Sequence, residues 1–400
     1  MSCKWESRRL GDVIAVKHGF AFPGAEFSDD PDLPTLVTPG NFAIGGGFQQ
    51  SKPKTFAGDY PRQFLLRPRD VVVTMTDLSK AADTLGYAAS IPDDGRTYLH
   101  NQRIGKVVAR VPDVDLGFFS YLLRMPAYRH WIVGSASGST VKHTSPSRIE
   151  DFKTNLPPYP EQRRIATVLS SLDDLIEHNR AHSARLVKLA RAEYDVLQGS
   201  AVDRVPFDST VNVLTGGTPR TSVDEYWGGD IPWYSVVDAP PSDNPWVLTT
   251  SKFVTEEGIA NSAARVLPVG VTIISARGTV GKLALVGAPM AMNQSCYGLQ
   301  SRLGGEGAFG YFAAQDVVDA LRQGAHGSVF DTITKASLNR VEVGLPARDA
   351  IENFEEAAAP LLELARELAV ETADLTRTRD ELLPLLMSGA IRVDESLEVA

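Results

Sequence analysis

"LPPYPEQRRIATVLSSLDDLIEHNRAHSARLVKLARAEYDVLQG", residues 156–199, decides the fold, because the chain answers it with "LPARDAIENFEEAAAPLLELARELAVETADLTRTRDELLPLLMSG", residues 345–389. Both stretches begin Leu-Pro, continue as a long helical pattern and end on glycine. The residue before a proline avoids helix, so Leu-Pro closes a strand or loop. Pro160 or Glu161 then opens the first helix, where proline is favoured and an early acid complements the helix dipole. In the first helix Ile165, Val168, Leu172, Leu175, Asn179, His182, Leu186, Leu189, Glu193 and Val196 fall on alternating steps of three and four. In the second, Ile351, Phe354, Ala358, Leu361, Ala365, Leu368, Thr372, Leu375, Arg379, Leu382 and Leu386 do the same. That repeat is the pattern of a coiled-coil seam, with Asn179 and His182 as polar register positions. Neither helix buries its stripe alone, and the natural partner of each is the other copy. About 38 residues at ~1.5 Å each make a rod roughly 57 Å long. Pro360 and Pro384 predict a bend or a start near 360 and fraying after 383, since an interior proline costs ~3 kcal/mol.

Working outward, the repeat continues upstream of each helix. "LHNQRIGKV" (99–107) is answered by "AMNQSCYGL" (291–299), which aligns Asn101-Gln102 with Asn293-Gln294. "LRPRDVVVTMTD" (66–77) is answered by "VLPVGVTIISAR" (266–277), and "GSTVKHTSPSRIEDF" (138–152) by "GSVFDTITKASLNRV" (327–341). "DVVVT" and "VTIIS" read as buried strands, with turns at "TPGNFAIGGG", "TGGTPRT" and "DAPPSDNP". Residues 118–125 and 311–323 read as one short helix per segment. The predicted architecture is α+β: two similar globular segments, each followed by a long helix, the helices pairing as an antiparallel coiled coil. The boundaries read 1–155, 156–200, 201–344, 345–390 and a tail, 391–400.

With 43% hydrophobic and 22% charged residues the chain has the composition of a folded globular protein. No apolar run reaches the ~18 residues of a membrane span, and "MSCKWESRRLGDV" has no apolar signal core, which predicts a cytoplasmic protein. Cys3 and Cys296 make neither a disulfide framework nor a metal set. The net charge of −9 argues against non-specific nucleic-acid binding. Residues 1–155 carry a small positive excess, whereas 346–400 hold much of the acidity. Any DNA reader in 201–345, itself acidic, must gather its few cations on one face.

Catalytic motifs fail on inspection. "NLPPY" (155–159) resembles the Asn-Pro-Pro-Tyr loop of adenine-amino methyltransferases, but Leu156 separates the polar residue from Pro-Pro, and no Gly-rich cofactor loop accompanies it. "GEGAFG" (305–310) lacks the strand that a dinucleotide fingerprint follows. "GTVGK" (278–282) is too short to cradle phosphate. His178 and His182 flank Asn179 without the glutamate of a zinc-protease helix. "PDVD" and "PDDGR" read as turns.

The chain resembles the specificity subunit of Type I restriction–modification systems. The resemblance spans essentially the whole sequence. It rests on "LPPYPEQRRIATVLSSLDDLI" and its copy, "TGGTPRTSVDEYWGGDIPWYSVVDA" (215–239), "LPVGVTIISARGTVGK" (267–282), "MNQS" (292–295) and the two "GS" pairs. The first half departs from it with "KHGFAFPGAEF" (17–27) where the second has Gly-Gly-Thr-Pro, and "LPARDAIENF" lacks the Pro-Glu-Gln form. The resemblance implies two target-recognition domains, each reading half of a split, asymmetric DNA target, joined by helices that set the unread spacer. It implies a subunit without catalysis or cofactor of its own, docked to methyltransferase subunits that carry S-adenosylmethionine and to a motor-nuclease subunit.

Asparagine, glutamine and arginine read base edges, while lysine, hydroxyls and exposed backbone N–H groups hold phosphates. On that basis the candidate DNA contacts of the first domain are Lys17, His18, Lys80, Asn101, Gln102, Arg103, Ser139, Thr140, Lys142 and His143. Those of the second are Thr215, Gly217, Thr218, Arg220, Arg277, Lys282, Asn293, Gln294, Ser328 and Lys335. The Asn-Gln pairs fit a polar brace as well as a base contact, and Gly-Gly-Thr-Pro fits a turn as well as a DNA contact. A coiled-coil scaffold without DNA reading and a stand-alone methyltransferase are the competing readings.

Overall fold

The computed structural model describes residues 5–50, 54–79, 81–138, 141–241, 244–303, 307–324 and 332–394. Lys80, Ser139, Thr140, Ser328, Cys3 and the first two residues of the 305–310 match lie outside them. The chain forms two compact units, Met1–Asp174 with Arg377–Ala400, and Leu175–Thr376. Both boundaries fall inside the long helices, Tyr159–Gly199 and Arg348–Ser388, because each helix lends one part of its length to each unit's core. Among the described residues no helix is long and apolar enough to cross a membrane.

In the first unit an antiparallel sheet runs in the order Ile14–His18, Ile104–Ala109, Val71–Thr74, Ala88–Ser90. A second sheet runs Phe27–Ser28, Thr55–Phe56, Thr35–Val37, Tyr98–His100, Leu65–Leu66, with one parallel pair between Thr35–Val37 and Tyr98–His100. Val71, Val72 and Val73 are all buried, which explains an unbroken apolar strand rather than an alternating one. Phe118 and Phe119, from a helix over Leu116–Leu122, pack with Ile165, Leu169, Leu386 and Met387 of the long helices.

The second unit repeats the plan. One sheet runs Val211–Thr215, Cys296–Ser301, Thr272–Ser275, Leu283–Val286, Trp246–Val247. The other places Trp227–Tyr234 between Phe253–Val254 and Ala291–Met292, the latter pair parallel. Its helix Ala308–Gly324 packs Phe309 and Phe312 against Tyr194 and Phe354 of the long helices.

Each long helix leaves a short strand through Leu-Pro, as the sequence predicts. Lys153–Leu156 pairs with Glu6–Arg9, and Glu342–Leu345 pairs with Asp203–Pro206. Tyr159, just ahead of Pro160, is the first helical residue. Glu161 does more than complement the dipole: it is buried and accepts from Trp5 Nε1 at 3.2 Å. Gln162 accepts from the Asp115 amide at 3.1 Å and donates to the Pro157 carbonyl at 2.9 Å. In the second unit buried Glu355 accepts from the amides of Ala308 and Phe309, capping the helix they begin.

The long helices pack together and run antiparallel. In one unit Asp173 meets Arg379 at 2.8 Å, and in the other Ser183 donates to the Ala365 carbonyl at 3.4 Å, so one number rises as the other falls. Two sequence expectations need correction. In the first helix Leu175 and Leu189 are 49% and 50% exposed, and His182 and Val196 are exposed as well. The buried positions of the stripe are Ile165, Ala166, Leu169, Ile176, Asn179, Ser183, Val187, Ala190, Tyr194 and Leu197; Asn179 is where the sequence places it, and the others from 176 onward fall one residue later than predicted. From Ile176 to Leu197 the steps of three and four still average the 3.5 residues of a seam, so what changes is the face that is buried and not the period. Leu172 and Leu186 are half-buried beside it. The second helix keeps its predicted stripe, with Phe354 buried and Leu361, Leu368, Leu375 and Leu382 half-buried, and adds Leu362 and Ala369. The second correction concerns proline. The helix neither starts at Pro360 nor ends at Pro384, and both prolines face solvent inside a continuous helix. Packing of Phe354, Ala358 and Leu362 on one side and Leu386 and Met387 on the other offsets the lost hydrogen bonds.

Candidate nucleic-acid interface

Four chain segments meet at one edge of the first unit. Strand Ile14–His18 ends at Lys17 and His18, both exposed. The Phe20 amide donates to the His100 carbonyl and the Gln102 amide to the Phe20 carbonyl, so this end lies against the turn Asn101–Arg103. The Met75 amide donates to the Arg103 carbonyl at 2.9 Å, and the Thr144 amide to the Met75 carbonyl at 3.0 Å. Lys142 and His143 then pair with Asp77 and Thr76. All the described first-domain candidates therefore come together.

The second unit repeats the same connections. The Gly217 amide donates to the Met292 carbonyl at 3.0 Å, the Ala276 amide to the Ser295 carbonyl at 2.8 Å, and the Ile333 amide to the Ala276 carbonyl at 2.9 Å. Arg277 bridges Thr332 as Thr76 pairs with His143. Thr215, Thr218, Arg220, Arg277, Asn293 and Gln294 thus converge, with Lys282 closing the Arg277 turn and Lys335 opening the helix Lys335–Arg340 just beyond.

Gly19 and Gly216 are the pivots. A Cβ on Gly19 would sit 2.2 Å from the Asn101 carbonyl oxygen, and one on Gly216 1.9 Å from that of Asn293. "HGF" (18–20) and "TGG" (215–217) thus occupy equivalent places, which reconciles the first half's departure from Gly-Gly-Thr-Pro. A second shared device escaped the sequence reading. Thr38 and Asn41 form a capping box around Pro39–Asn41, and Ser235 and Asp238 form its twin around Val236–Asp238. Each follows the strand that runs parallel to the Asn-Gln turn. Ser/Thr-x-x-Asn/Asp is its legible signal.

The candidates divide by role. Asn101 and Asn293 spend their side-chain oxygens on the amides of Arg103 and Ser295, at 3.1 and 3.0 Å, so both are turn braces. Gly217 is buried, its N–H bound to Met292 and its carbonyl to Trp233 Nε1. It is a turn residue, not a surface contact. Trp227 Nε1 likewise holds the Arg220 carbonyl. Gln102 and Gln294 are exposed, and Gln294 accepts from the Thr218 hydroxyl. Lys17, Arg103, Arg220, Arg277, Lys282 and Lys335 are exposed, and none forms an ion pair among the described residues. Asp77, whose backbone pairs with that of Lys142 in the first edge, has its carboxylate engaged by Ser79 and Thr84. Burial acts to raise its pKa, but hydrogen bonds from Ser79 and Thr84 together hold it below the usual value. Among the described residues no group of three His, Cys, Asp or Glu could hold a metal ion.

His100 sits beneath the first turn, its Nε2 2.8 Å from the Ile104 carbonyl. Burial pushes its pKa down from 6.5 to about 4, so the folded ring stays neutral where the unfolded ring would charge. Its contribution is complete above pH 6.5 and is lost as pH falls from 6.5 towards 4, about 3 kcal/mol in all at ~1.4 kcal/mol per pKa unit. Urea unfolding at pH 7 and pH 4.5 checks this. His100→Met, which installs the residue found at equivalent position 292, is expected to flatten most of the difference, and an unchanged pH dependence would contradict the assignment.

A family model described as "Type I restriction modification DNA specificity domain" matches residues 3–187 and 207–351. The chain belongs to this family. Among its relatives, the Type I restriction enzyme MjaIX specificity subunit of Methanocaldococcus jannaschii is 27% identical over 137 residues, 34% of this chain and 32% of that protein. The EcoBI specificity subunit of Escherichia coli is 25% identical over 198 residues, 50% of this chain and 38% of that protein. The aligned stretches therefore span about a third of these relatives' own length. The crystal structure of a Type I restriction–modification S subunit from M. genitalium superposes with a TM-score of 0.63 at 14% identity, covering 99% of this chain and 98% of that one. The specificity-domain fold is thus the fold of this chain, duplicated domains and paired helices included.

Proposed function

We propose that this chain is the DNA-reading, non-catalytic subunit of a Type I restriction–modification complex. The observation that carries the proposal is the pair of equivalent edges, each presenting exposed cations that have no carboxylate partner among the described residues. Such cations suit phosphate neutralisation, and exposed Gln102, Gln294, Arg103 and Arg277 can read base edges beside them. The edges share a backbone frame but differ in side chains, which suits a target split into two unlike halves. The continuous helices, running through both units, set the spacer between the halves. Methyltransferase subunits dock on the assembly and supply S-adenosylmethionine and adenine methylation, and a motor-nuclease subunit adds cleavage.

The test is methylome sequencing of a host expressing the chain with its cognate methyltransferase subunit. A bipartite adenine-methylation motif is expected, and it disappears when this chain is deleted. An identical methylation map after deletion sinks the proposal. Loss of specific DNA binding with subunit assembly retained would instead favour a scaffold that does not read DNA.

A further inference from the structure

We propose that Leu78 is an apolar base contact of the first edge, presented by a hydrogen-bonded turn to the half-site that edge reads. The inference rests on the DNA-reading proposal above. An exposed leucine alone is ordinary; Leu78 differs in where it stands and how it is held. It is 68% exposed. It directly follows Asp77, whose backbone pairs with that of Lys142, and the Met75 amide, two residues before Asp77, donates to the Arg103 carbonyl, so Leu78 stands on the same backbone frame as these two cations. Of the other apolar residues of its loop, Ala82 and Leu85 are buried, and Ala81, exposed, carries only a methyl group.

The loop is fixed at both ends. The buried Asp77 carboxylate accepts from the Ser79 amide at 2.6 Å, the Thr84 amide at 2.5 Å and the Thr84 hydroxyl at 2.8 Å. The Ser79 hydroxyl accepts from the Asp83 amide at 2.8 Å. The Arg129 guanidinium donates to the carbonyls of Ala82 and Leu85. Ala82 is held at φ +55°, a left-handed conformation that costs free energy in a residue with a Cβ and that persists where surroundings over-determine it, commonly at functional sites. The Asp77–Ser79 bond makes a tight turn with Leu78 at its tip. Little conformational entropy remains to be lost on binding. The equivalent turn of the second unit presents Gly278 and Thr279 instead, both exposed. The apolar tip therefore belongs to one half of the chain only.

Against DNA, such a tip meets the apolar surface of a base pair, either a thymine methyl or the face of an opened step. The experiment uses the complete complex of this chain with its methyltransferase subunits and duplexes bearing the motif found by methylome sequencing. Leu78→Ala is expected to weaken specific binding about tenfold and to loosen the motif only in the half read by the first domain. Its salt dependence should stay that of wild type, whereas Lys17→Ala, at an exposed lysine suited to phosphate, should shallow the salt slope. Leu78→Met should retain most of the affinity. Deoxyuridine in place of thymine lowers affinity if the methyl is the contact. A rise in 2-aminopurine fluorescence, absent with Leu78→Ala, marks an opened step. Unchanged affinity and an unchanged motif for Leu78→Ala overturn this inference and leave the DNA-reading proposal standing. A wild-type complex with no motif at all overturns both. Leu78 is exposed, so melting of the alanine variant should match wild type.

Discussion

Asp173→Ala is expected to destabilise the first unit by about 3 kcal/mol, the lower end of the range for removing one member of a buried charge network, because Asp173 and Arg379 are half-buried and only Arg124 is fully so. Asp173 accepts from the Tyr121 hydroxyl at 2.7 Å and from Arg379 at 2.8 Å, and Arg124 lies 3.7 Å away with its side chain only 8% exposed. The alanine variant leaves two guanidinium groups and a buried phenol facing a gap. Arg379, which breaks the apolar stripe of the second helix, is thereby explained: its partner is the acid across the helix pair. Thermal and urea unfolding measure the effect. If leftover charge is the cause, adding Arg124→Met and Arg379→Met to Asp173→Ala should recover much of the loss. A loss below about 1 kcal/mol for Asp173→Ala, the size of an exposed pair, would show that the network is solvated.

Gly216→Ala has the second large expected effect. Its Cβ would stand 1.9 Å from the Asn293 oxygen and 2.7 Å from the Met292 oxygen, both backbone atoms that cannot rotate away. The strand end must move, which breaks the Gly217–Met292 hydrogen bond and shifts Thr218 from Gln294. A loss of about 3 kcal/mol, the upper end of the usual overpacking cost, is expected. In the assembled complex the half-site read by the second domain should degenerate while the first stays intact. Gly19→Ala should give the mirror result. If either variant damages both half-sites equally, the two edges do not read independently.

Much of the fold was legible because its signals are local. Leu-Pro before a helical period, β-branched runs and the shared Asn-Gln turn each depend on a few neighbouring residues, and each recurs in the second copy. The seam of the first helix was misread for a physical reason. That helix carries two adjacent apolar lines, and the buried one includes Asn179, Ser183 and Ala190, while leucines at 175 and 189 face outward. Hydropathy favours the leucines; burial depends on what stands opposite, such as the Ala365 carbonyl that receives Ser183. Pro360 and Pro384 misled likewise, since propensity cannot weigh packing on the far side of a helix. At the candidate interface, residue type located the edges but not the roles. Asn101 and Gly217 look like contacts by composition and are braces by hydrogen bonding. Gly19 gave no local sign that it matches Gly216, because that match lies in backbone clearance.

The strand pairs at the feet of the long helices have one more consequence. Glu6–Arg9 is zipped to Lys153–Leu156, and Asp203–Pro206 to Glu342–Leu345, so each copy fastens its own beginning to its own end. A segment closed in this way can be lifted out at the Leu156-Pro157 and Leu345-Pro346 joints and exchanged for another of the same build without unpicking a sheet. On the DNA-reading proposal above, recombination between genes would then exchange one half-specificity as a whole cassette, creating a new address in one crossover where point mutation would need many steps.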